Sequence, residues 1–543
     1  MGRETFKSGA VGSAESIENY VRPDGTIVIP DGITLTSFLE RNRAAMGDKP
    51  SYRFIDYSHN SDGEVIELSW NGLWAQVNAV AARLQQVTAP RDRVAILAPQ
   101  GVDYVAAFFA AVHAGNIAVP LFAPALAGHS ERLAAVLSDA KPTVVLTTTA
   151  AAESVRNFTK TLPAAERPRV IAVDAVPDTL AQMYVSPAIG TDDIAYLQYT
   201  SGSFVRRPYR WIKNLAEESA TGPTMAAAPN FAFELCAQRG LPPQGETIDL
   251  SNVVTLLNGS EPVTLPSIAK FMAAFTPYGL PETVVKPSYG MAEATLSVAS
   301  IGPNEKPCAT YLDREQLAAG HAVVVDASAE GAVAHVSCGR AIPDQWVVIA
   351  TPDGDEAADG TVGEIWLHGN NIGRGYFGRP EESERVFGNK LQTRLDMRSH
   401  AEGVEDNGLW LATGDLGVYV NGELFVTGRI KDMVIVDGRN HYPQDVEATV
   451  SLASPAVRSG YVTAFAVPGS SGEQLVVVAE RAAGSGRAEP EPIAEAIRAA
   501  VSRYHQVRVA DVRLVAAGRI PRTTSGKLAR SAARSEYLAG QFD

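Results

Sequence analysis

An alternation of short apolar strands with amphipathic helices between residues 73 and 173 most constrains the fold of this chain. The predicted elements are a helix over 73–87, a strand over 93–97, a helix over 102–114 that Gly115 ends, a strand over 117–121, a helix over 131–139, and strands over 144–147 and 169–173. Strand and helix follow each other in the order of βαβ units. The first lobe is therefore predicted to be a mostly parallel α/β sheet with helices on its faces.

The stretch from 411 to 443 predicts two successive hairpins. It holds the turn dipeptides Asn421-Gly422 and Asp437-Gly438, each between runs rich in β-forming residues. Between the two hairpins, residues 428–432 bring three charges to a strand end, and Gly428 can absorb a backbone rotation. A hinge needs these properties, but a charged turn in solvent has them too.

Length and charge limit the classes of protein that this chain can belong to. Its 543 residues exceed what one hydrophobic core usually supports, so two or more domains are expected. Apolar residues make up 45% and charged residues 20%, an ordinary balance for a globular protein. The formal net charge of −14 argues against nucleic acid or an anionic lipid surface as a partner. An anionic substrate would have to be met by local donors.

The cysteine content and the apolar runs predict a cytoplasmic protein without a transmembrane segment. Only Cys236, Cys308 and Cys338 occur, with no CxxC pair, which argues against a disulfide scaffold or a zinc cluster. The first residues hold no apolar signal core. The longest apolar run, 105–123, is interrupted by His113 and Gly115 and is too broken to span a bilayer.

Three polar segments that follow predicted strands are candidates for ligand binding. Residues 200–203 form a small hydroxyl-rich loop that could offer N–H and O–H groups to a phosphate, although most such loops are plain connections. Residues 258–261 form a polar turn at a sheet edge. In 286–295 an aromatic residue, a Gly and Glu293 open a predicted helix. An acidic residue there usually compensates the helix dipole, but beside phosphates it would bind Mg²⁺.

The remaining segments complete the predicted layout. The nearly uncharged stretch 224–235 is either core or the wall of an apolar channel. Residues 322–349 and 363–368 predict a smaller antiparallel β lobe, and 388–407 a polar surface insertion. Beyond Asp432 the pattern predicts a small α+β domain, near whose end Lys527 lies on a loop.

In this order and at this spacing, seven motifs closely resemble those of the adenylate-forming superfamily, which includes acyl-CoA synthetases and luciferases. They are YTSGS, NGSEPV, SYGMAEAT, GEIWLHG, TGD, GRIKDMVIVDGRNHYP and IPRTTSGK. The forms LQYTSGS, KPSYGMAEATL and GRNHYPQDVE, with the polar insertion before TGD, resemble the fatty-acyl-AMP ligases, above all those that supply the polyketide synthase of mycolic acid synthesis. The resemblance implies a multi-lobed adenylating domain over 1–430 and a small mobile C-terminal domain over 431–543.

The resemblance also implies an activity. A long-chain fatty acid would react with ATP, in the presence of Mg²⁺, to give acyl-AMP and pyrophosphate. The acyl group would then pass to the phosphopantetheine of an acyl carrier domain of a polyketide synthase. In this subfamily the insertion hinders the rotated pose that CoA needs, which favours an acyl-AMP ligase over an acyl-CoA ligase.

Site residues carry over by the same resemblance. Thr200, Ser201, Gly202 and Ser203 would hold the phosphates, Glu293 would bind Mg²⁺, and Lys527 would lie between the carboxylate, the α-phosphate and the ribose. Adenine would lie between Asn258, Gly259, Ser260 and Glu261 on one side and Ser288, Tyr289, Gly290, Met291 and Ala292 on the other, stacked on the ring of Tyr289. Asp415 would accept from the ribose hydroxyls and Arg429 would add a contact. Lys431 and Asp432 would form the hinge.

The chain departs from the family pattern immediately after Ser203. Family members continue with a basic, Gly-containing loop end, a helix, and a second motif rich in Phe, His and Asp before they reach FVRRP. Here Phe204 follows Ser203 directly. Either a deletion leaves a damaged enzyme, or Arg206 and Arg207 replace the lost cation; we favour damage, because losing a helix and a strand exposes their neighbours. The alternatives to an active ligase are therefore an inactive homologue that binds acyl chain, nucleotide or partner, and a long-chain acyl-CoA ligase.

Overall fold

The computed structural model describes residues 32–124, 130–199, 207–436, 439–469, 472–486, 488–522 and 528–542. The chain divides into two compact units, Met1–Thr200 and Ser201–Asp543. Residues 431–543, which the motifs assign to a C-terminal domain, lie inside the second unit.

The first unit contains the predicted parallel sheet. Its helices are α1 (Leu35–Met46), α2 (Trp70–Gln85), α3 (Val102–His113), α4 (Ser130–Ala140) and α5 (Ala152–Thr159), and its strands are β1 (Pro50–Asp56), β2 (Glu64–Ser69), β3 (Arg93–Ile96), β4 (Ile117–Pro120), β5 (Val144–Thr147) and β6 (Arg169–Ala172). Strands β4, β3, β5 and β6 pair in that order, all parallel, and β1 pairs antiparallel with β2. The strand expected just before residue 200 is reduced to one bridge between Tyr196 and Ala118.

Helices cover both faces of this sheet. In β3, Val94 and Ile96 belong to one apolar cluster, which α2 and α3 supply with Leu73 and Ala107 among others. Ala95, between them on the same strand, belongs to a second cluster with α4. Successive residues of a strand point to opposite faces, so a strand that is apolar throughout is buried on both sides. This explains why the run 93–97 shows no alternation.

The second unit holds the remaining elements. Its helices are α6 (Pro208–Ser219), α7 (Asn230–Arg239), α8 (Leu265–Phe275), α9 (Arg314–Ala318), α10 (Pro380–Phe387), α11 (Pro443–Ala453), α12 (Pro490–His505) and α13 (Arg530–Leu538). Its strands are β7 (Thr224–Pro229), β8 (Val253–Gly259), β9 (Val285–Met291), β10 (Leu296–Ser300), β11 (Ala309–Asp313), β12 (Ala332–Val336), β13 (Arg340–Ala341), β14 (Gln345–Ala350), β15 (Gly363–Gly369), β16 (Leu411–Val420), β17 (Glu423–Arg429), β18 (Val434–Val436), β19 (Arg439–His441), β20 (Val457–Gly469), β21 (Gly472–Arg481) and β22 (Val509–Val515).

A five-stranded sheet in the order β13-β10-β9-β8-β7 supports the candidate site. Strands β7, β8 and β9 are parallel, and β10 turns back antiparallel to β9. The helix predicted after Tyr289 is wrong: β9 continues to Met291, and Ala292–Ala294 makes one 3₁₀ turn. Thr295 and Leu296 then take positive φ values of 52° and 89°, which reverse the chain into β10.

The smaller β lobe is an antiparallel sheet in the order β14-β15-β16-β17. Its last hairpin turns at Asn421 and Gly422, whose φ angles of 53° and 77° are both left-handed, as a type I′ turn requires. Strands β18 and β19 also pair antiparallel, and the predicted turn at 437–438 between them lies outside the described residues.

The segment 388–407, predicted as a polar surface insertion, is bound to this lobe. The carboxylate of Glu356 is buried and accepts hydrogen bonds from the backbone N–H of Leu395 (3.0 Å) and His400 (2.7 Å) and from the hydroxyl of Ser399 (2.7 Å). The His400 ring stacks on Tyr419 of β16, with ring centroids 3.7 Å apart. Composition could not reveal these contacts because their partners lie far away in the sequence.

The last part of the chain has the predicted α+β composition. Strand β20 pairs antiparallel with β21, and β21 pairs parallel with β22. Helices α11 and α12 contribute Val446, Val450, Ile493 and Ile497 to the core that these strands share. The mixed α/β fold class is thereby confirmed. Among the helices in the described ranges, none is both long and apolar enough to cross a membrane.

Candidate functional site

The carboxyl ends of the neighbouring parallel strands β8 and β9 place two of the predicted binding segments side by side. Asn258 of β8 pairs with Pro287 of β9. A Cβ on Gly259 would lie 2.7 Å from the carbonyl oxygen of Ser288, so only glycine allows the two strand ends to approach so closely. Ser260 has a φ of 68°, which turns the chain away from the sheet. Ligands of open α/β sheets commonly bind beyond the carboxyl ends of the strands.

Two of the residues predicted to frame adenine have firm protein partners. The buried amide of Asn258 donates to Asn230 Oδ1 at 3.2 Å. Glu261 Oε1 accepts from the backbone N–H of Phe231 at 2.6 Å, at the start of α7, where the helix dipole favours a carboxylate. Glu261 thus fixes the turn 258–261 against α7.

Strand β9 is held at its start by a lysine whose role the sequence did not reveal. The buried ammonium of Lys286 donates to the carbonyl oxygens of Gly302, Pro303 and Glu305, at 2.8 Å each. Further along, Ser288 Oγ donates to the Lys286 carbonyl oxygen at 3.0 Å and lies 2.9 Å from Ser300 Oγ of β10. Met291 ends the strand, and Ala292 begins the 3₁₀ turn that carries Glu293.

Tyr289, Asp415 and Arg429 form one hydrogen-bonded group. The Tyr289 hydroxyl donates to Asp415 Oδ2 at 2.7 Å, and Arg429 Nε lies 2.9 Å from Asp415 Oδ1. Asp415 and Arg429 are direct partners across β16 and β17, because a one-residue shift of register between Leu416 and Gly417 brings them opposite each other. The Asp415 side chain is 8% exposed, whereas that of Arg429 is 56% exposed. The structure therefore brings together three side chains that the motifs assigned to one nucleoside.

Burial governs the ionisation of this group. Burial raises the pKa of Asp415, and Arg429 and the Tyr289 hydroxyl oppose that rise. Burial, followed by the nearby Asp415 charge, raises the pKa of Tyr289, so the phenol stays protonated and keeps donating. Each carboxylate oxygen has two lone pairs, so Asp415 can still accept hydrogen bonds from a pair of hydroxyls.

The candidate magnesium ligand Glu293 has a tyrosine partner that sequence reasoning missed. The Tyr376 hydroxyl donates to Glu293 Oε1 at 3.0 Å, and the Gly373 N–H donates to the Glu293 carbonyl oxygen at 2.6 Å. Burial, then the Glu293 charge, raises the pKa of Tyr376 to about 12. The Gly-rich stretch 369–376 was visible in the sequence, but nothing in it indicated which residue it brings to Glu293.

A single carboxylate, rather than a cluster, is what the described residues offer to a cation. Among them no group of three or more His, Cys, Asp or Glu side chains gathers as metal ligands would. Mg²⁺ is typically held by one or two carboxylates together with substrate phosphates and waters, so Glu293 fits such an ion.

The other predicted site residues divide into two groups. Lys431 and Asp432 lie in the 3₁₀ turn Ile430–Asp432, between β17 and β18, where a hinge was predicted. Thr200, Ser201, Gly202, Ser203 and Lys527 lie outside the described residues, as do Phe204 and Arg206, so their placement stays a prediction.

Comparison with known protein families places these segments in a known context. The family model described as AMP-binding enzyme matches residues 39–203 and 205–377. A second model, described as the AMP domain of Disco-interacting protein 2-like proteins, matches residues 431–543. The first match is interrupted where Ser203 meets Phe204, at the position of the inferred deletion.

Relatives of known name and structure extend the likeness to nearly the whole chain. Long-chain-fatty-acid–AMP ligase FadD32 of Mycobacterium marinum is 46% identical over 607 residues, which cover 96% of each chain. That alignment is longer than the 543 residues of this chain, so the relative holds segments that this chain lacks. The crystal structure of a fatty acid AMP ligase from Legionella pneumophila superposes with a TM-score of 0.66 at 27% identity, over 94% of this chain and 96% of the other.

A second structure of an L. pneumophila fatty acyl-adenylate ligase, in complex with acyl adenylate and pyrophosphate, superposes with a TM-score of 0.63 at 26% identity, over 93% of this chain and 96% of that one. The match to the AMP-binding model spans more than half of the chain, and the identity to FadD32 extends over nearly all of it. The chain therefore belongs to the AMP-binding enzyme family and, within it, to the long-chain-fatty-acid–AMP ligases.

Proposed function

We propose that this protein uses ATP to activate a long-chain fatty acid as acyl-AMP and then passes the acyl group to an acyl carrier domain of a polyketide synthase. The contact between Tyr289 and Asp415 is the observation that best supports acyl-AMP formation, because it joins an aromatic ring to a carboxylate that can accept from two ribose hydroxyls. The long-chain-fatty-acid–AMP ligase relatives support the same step. The polyketide synthase partner and a role in lipid synthesis of the mycolic acid type rest on the motif resemblance.

The first step is an in-line displacement at the α-phosphorus of ATP. A carboxylate oxygen of the fatty acid forms a bond to phosphorus, the bond to the bridging oxygen breaks, and pyrophosphate leaves with its electron pair. Both reactants are anions, so donors and cations must offset the charge that develops. In the proposal, Thr200, Ser201, Gly202 and Ser203 donate to the phosphates, and the Lys527 ammonium lies beside the α-phosphate.

The nucleoside would occupy the ends of β8 and β9. Asn258, Gly259, Ser260 and Glu261 would line one side of adenine, and the segment from Ser288 to Ala292 the other. Asp415 would accept from the ribose hydroxyls while Arg429 keeps it ionised and oriented, as the 2.9 Å contact between them suggests. The hydroxyl of Tyr289 is held by Asp415, which fixes the plane of its ring for stacking.

Magnesium would be held by Glu293 together with the phosphates. The contact from Tyr376 uses one lone pair of this carboxylate, which leaves capacity for a cation. The ion, when bound, neutralises phosphate charge.

In the second step the thiol of the carrier would attack the acyl carbonyl carbon, and AMP would leave as the thioester forms. We propose that residues 431–543 rotate about Lys431 and Asp432 between the two steps, which divides the protein into domains at 430/431. The insertion 388–407, tied to Glu356, would hinder the pose that CoA needs. A cytoplasmic location, which the cysteine content predicts, fits a reaction that consumes ATP.

Incubation of the purified protein with Mg-ATP and palmitate tests the proposal. We expect acyl-AMP and pyrophosphate in equal amounts, and a loss of both in Lys527→Ala by a factor of about 100 or more. If no acyl-AMP forms and Lys527→Ala binds and behaves as the parent does, the ligase function of this chain is refuted. Appreciable acyl-CoA after addition of CoA would instead favour an acyl-CoA ligase.

The interruption of the family match after Ser203 favours one second candidate, an inactive homologue that still binds nucleotide or acyl chain. Calorimetry with AMP and with palmitate separates the two candidates. Binding of either compound without turnover would support the inactive homologue, whereas turnover would exclude it.

A further inference from the structure

One guanidinium group connects the proposed hinge to the last helix of the chain. Arg530 is the first residue of α13 and follows Lys527 by three positions in the sequence. Its Nη1 lies 3.3 Å from Asp432 Oδ2, in the hinge turn. Its Nε and Nη2 donate to Oε1 and Oε2 of Glu447, both at 2.7 Å.

The glutamate side of this group anchors Arg530 to the body of the C-terminal module, which we define as residues 434–542. Glu447 lies on α11, and its Oε1 also accepts from the Ala464 N–H of β20 at 3.1 Å. The guanidinium fork therefore meets a carboxylate that is itself fixed to a helix and a strand. Bidentate pairs of this kind set orientation as well as adding attraction.

The aspartate side is weaker in geometry and more exposed than the glutamate side, although it too is largely buried. The side chains of Arg530 and Asp432 are each 19% exposed, and that of Glu447 is 10% exposed. Charges with so little access to water are costly unless they are paired, so each carboxylate depends on Arg530. Arg530 makes one longer contact with Asp432, whereas it makes two short ones with Glu447. The pair with Glu447 thus fixes the position of Arg530, and the contact with Asp432 fixes the hinge turn relative to Arg530.

We propose that Arg530 is a positioning residue which locks the hinge turn to the module, so that the module rotates about residues 430–432 as one body. This inference rests on the function proposed above, in which Lys527 travels with the module. Lys527 precedes Arg530 by three residues, so the position of Arg530 limits where Lys527 can lie relative to the hinge turn. A displacement of about 1 Å at a reacting group can cost a factor of about 100 in rate, so a fixed pivot matters for the lysine.

Hydrogen exchange tests the connection without requiring activity. Asp432→Asn alters only the hinge partner, yet we expect amide exchange at the start of α13, residues 530–534, to rise about tenfold. Reciprocally, Arg530→Lys keeps the charge but loses the fork, and we expect exchange in 430–434 to rise by a similar factor. Arg534→Lys is the matched control, because Arg534 lies on the same helix and donates from Nε to the Ala466 carbonyl oxygen at 2.8 Å. It should leave 430–434 unchanged.

Kinetics of acyl-AMP formation separate positioning from mere stability. We expect kcat to fall tenfold or more in Arg530→Lys and in Asp432→Asn while KM for ATP stays within about twofold, since the proposed nucleotide contacts other than Lys527 lie outside the module and Lys527 would act mainly on charge that develops in the transition state. Arg534→Lys should keep the parent kcat. If Arg530 and Asp432 only stabilised the fold, each variant would lose activity in proportion to its loss of thermal stability. Asp432→Asn would then differ from the control Arg534→Lys only as far as their stabilities differ.

The outcomes are separable from those of the proposed function. If the parent makes no acyl-AMP, the ligase proposal fails while the exchange measurements still decide whether Arg530 couples hinge and helix. Exchange changes that stay within the mutated element in both variants would overturn the coupling. A kcat of Asp432→Asn equal to that of the parent would also overturn the coupling.

Discussion

The hydroxyl of Tyr289 donates a 2.7 Å hydrogen bond to the carboxylate of Asp415, across 126 positions of sequence. The bond joins the five-stranded sheet to the β14–β17 lobe, since Tyr289 lies on β9 and Asp415 on β16. The bond thus joins the ring that is proposed to stack on adenine to the carboxylate that is proposed to accept from ribose. In the proposed nucleoside site, this contact would fix the position of the ring relative to the carboxylate.

Tyr289→Phe should weaken ATP binding while preserving the apolar ring. The variant removes one donor from a buried carboxylate, and hydrogen bonds to charged groups contribute about 1.5–3 kcal/mol. We expect KM for ATP in acyl-AMP formation to rise about tenfold or more. Tyr537→Phe is the control, because Tyr537 makes a similar 2.8 Å bond to Asp511 within the C-terminal module. Equal KM values in both variants would show that Asp415 does not depend on Tyr289.

Tyr376→Phe should raise the concentration of Mg²⁺ needed for half-maximal rate. The Tyr376 hydroxyl donates to Glu293 and would orient its carboxylate. Loss of a hydrogen-bond partner of a metal ligand typically changes metal affinity by a factor of about 10 or more. Titration of the initial rate with Mg²⁺ at saturating ATP measures the effect. Tyr537→Phe breaks another tyrosine–carboxylate bond, to Asp511 in the C-terminal module, and should leave the titration unchanged. Coinciding titrations for all three proteins would remove Glu293 from the proposed metal site.

Sequence periodicity predicted the first unit well because the relevant contacts are local. The strand over 144–147 was predicted at its observed bounds, and the predicted helix 102–114 ends one residue beyond the observed α3. Turn chemistry did the same for the hairpin at Asn421-Gly422, whose register holds as far as the pair Gly417 and Val426; the one-residue shift beyond it, which brings Asp415 opposite Arg429, was not predicted. In each case the residues that determine the structure are within a few positions of each other.

Predictions that depended on distant partners were less complete. Thr295 and Leu296 have positive φ angles although neither is a glycine, so the sequence does not indicate the turn after β9 and predicts a helix there. Tyr376 and Arg530 were not singled out, because their partners Glu293, Glu447 and Asp432 lie between 83 and 98 positions away. Motif resemblance supplied the site residues, and their catalytic roles remain predictions.

Glu356→Gln should loosen the insertion 388–407. Three donors bond to the two carboxylate oxygens of Glu356, whereas a neutral amide has only one oxygen that accepts. Each buried donor that is left unpaired costs about 1–3 kcal/mol. We expect a lower urea midpoint and faster tryptic cleavage after Arg394 and Arg398. Glu402→Gln is the control, since Glu402 bonds to Trp346 through its backbone carbonyl and its side chain is exposed. Parent-like cleavage in Glu356→Gln would mean that other contacts suffice.

His113→Phe should flatten the acid side of the stability profile. Burial lowers the pKa of His113 to about 4, and its ring stacks on Tyr184 with centroids 4.3 Å apart. The unfolded chain takes up a proton near pH 6.5 that the folded state excludes, so stability is full above pH 6.5 and falls as the pH decreases towards 4. This group alone should cost about 2 kcal/mol between pH 7 and pH 5.

The urea midpoints at pH 7 and pH 5 measure this effect. Phe keeps the stacked ring but cannot titrate, so the midpoint of His113→Phe should change less than that of the parent between the two values. His335, whose pKa burial also lowers to about 4, still contributes its share in the variant. Equal pH dependence in parent and variant would contradict a neutral buried His113.

Restoring the segment that is missing between Ser203 and Phe204 should stabilise the second unit. Strand β7 is the edge of the five-stranded sheet in the described ranges, and Met225 of β7 and Val254 of β8 are 64% and 48% exposed. Covering a large apolar side chain contributes about 1.5–3 kcal/mol, and a further strand would satisfy the edge of β7.

We expect a graft of the aligned FadD32 segment to raise the thermal midpoint by several degrees and to reduce binding of an apolar dye. A Gly/Ser segment of the same length is the control and should do neither, because it adds loop entropy without apolar cover. Acyl-AMP formation should rise at least tenfold in the graft if the deletion is what limits the chain, since the graft returns the basic end of the phosphate loop. A stabilised graft that is no faster than an active parent would instead favour Arg206 and Arg207 as the groups that serve the phosphates.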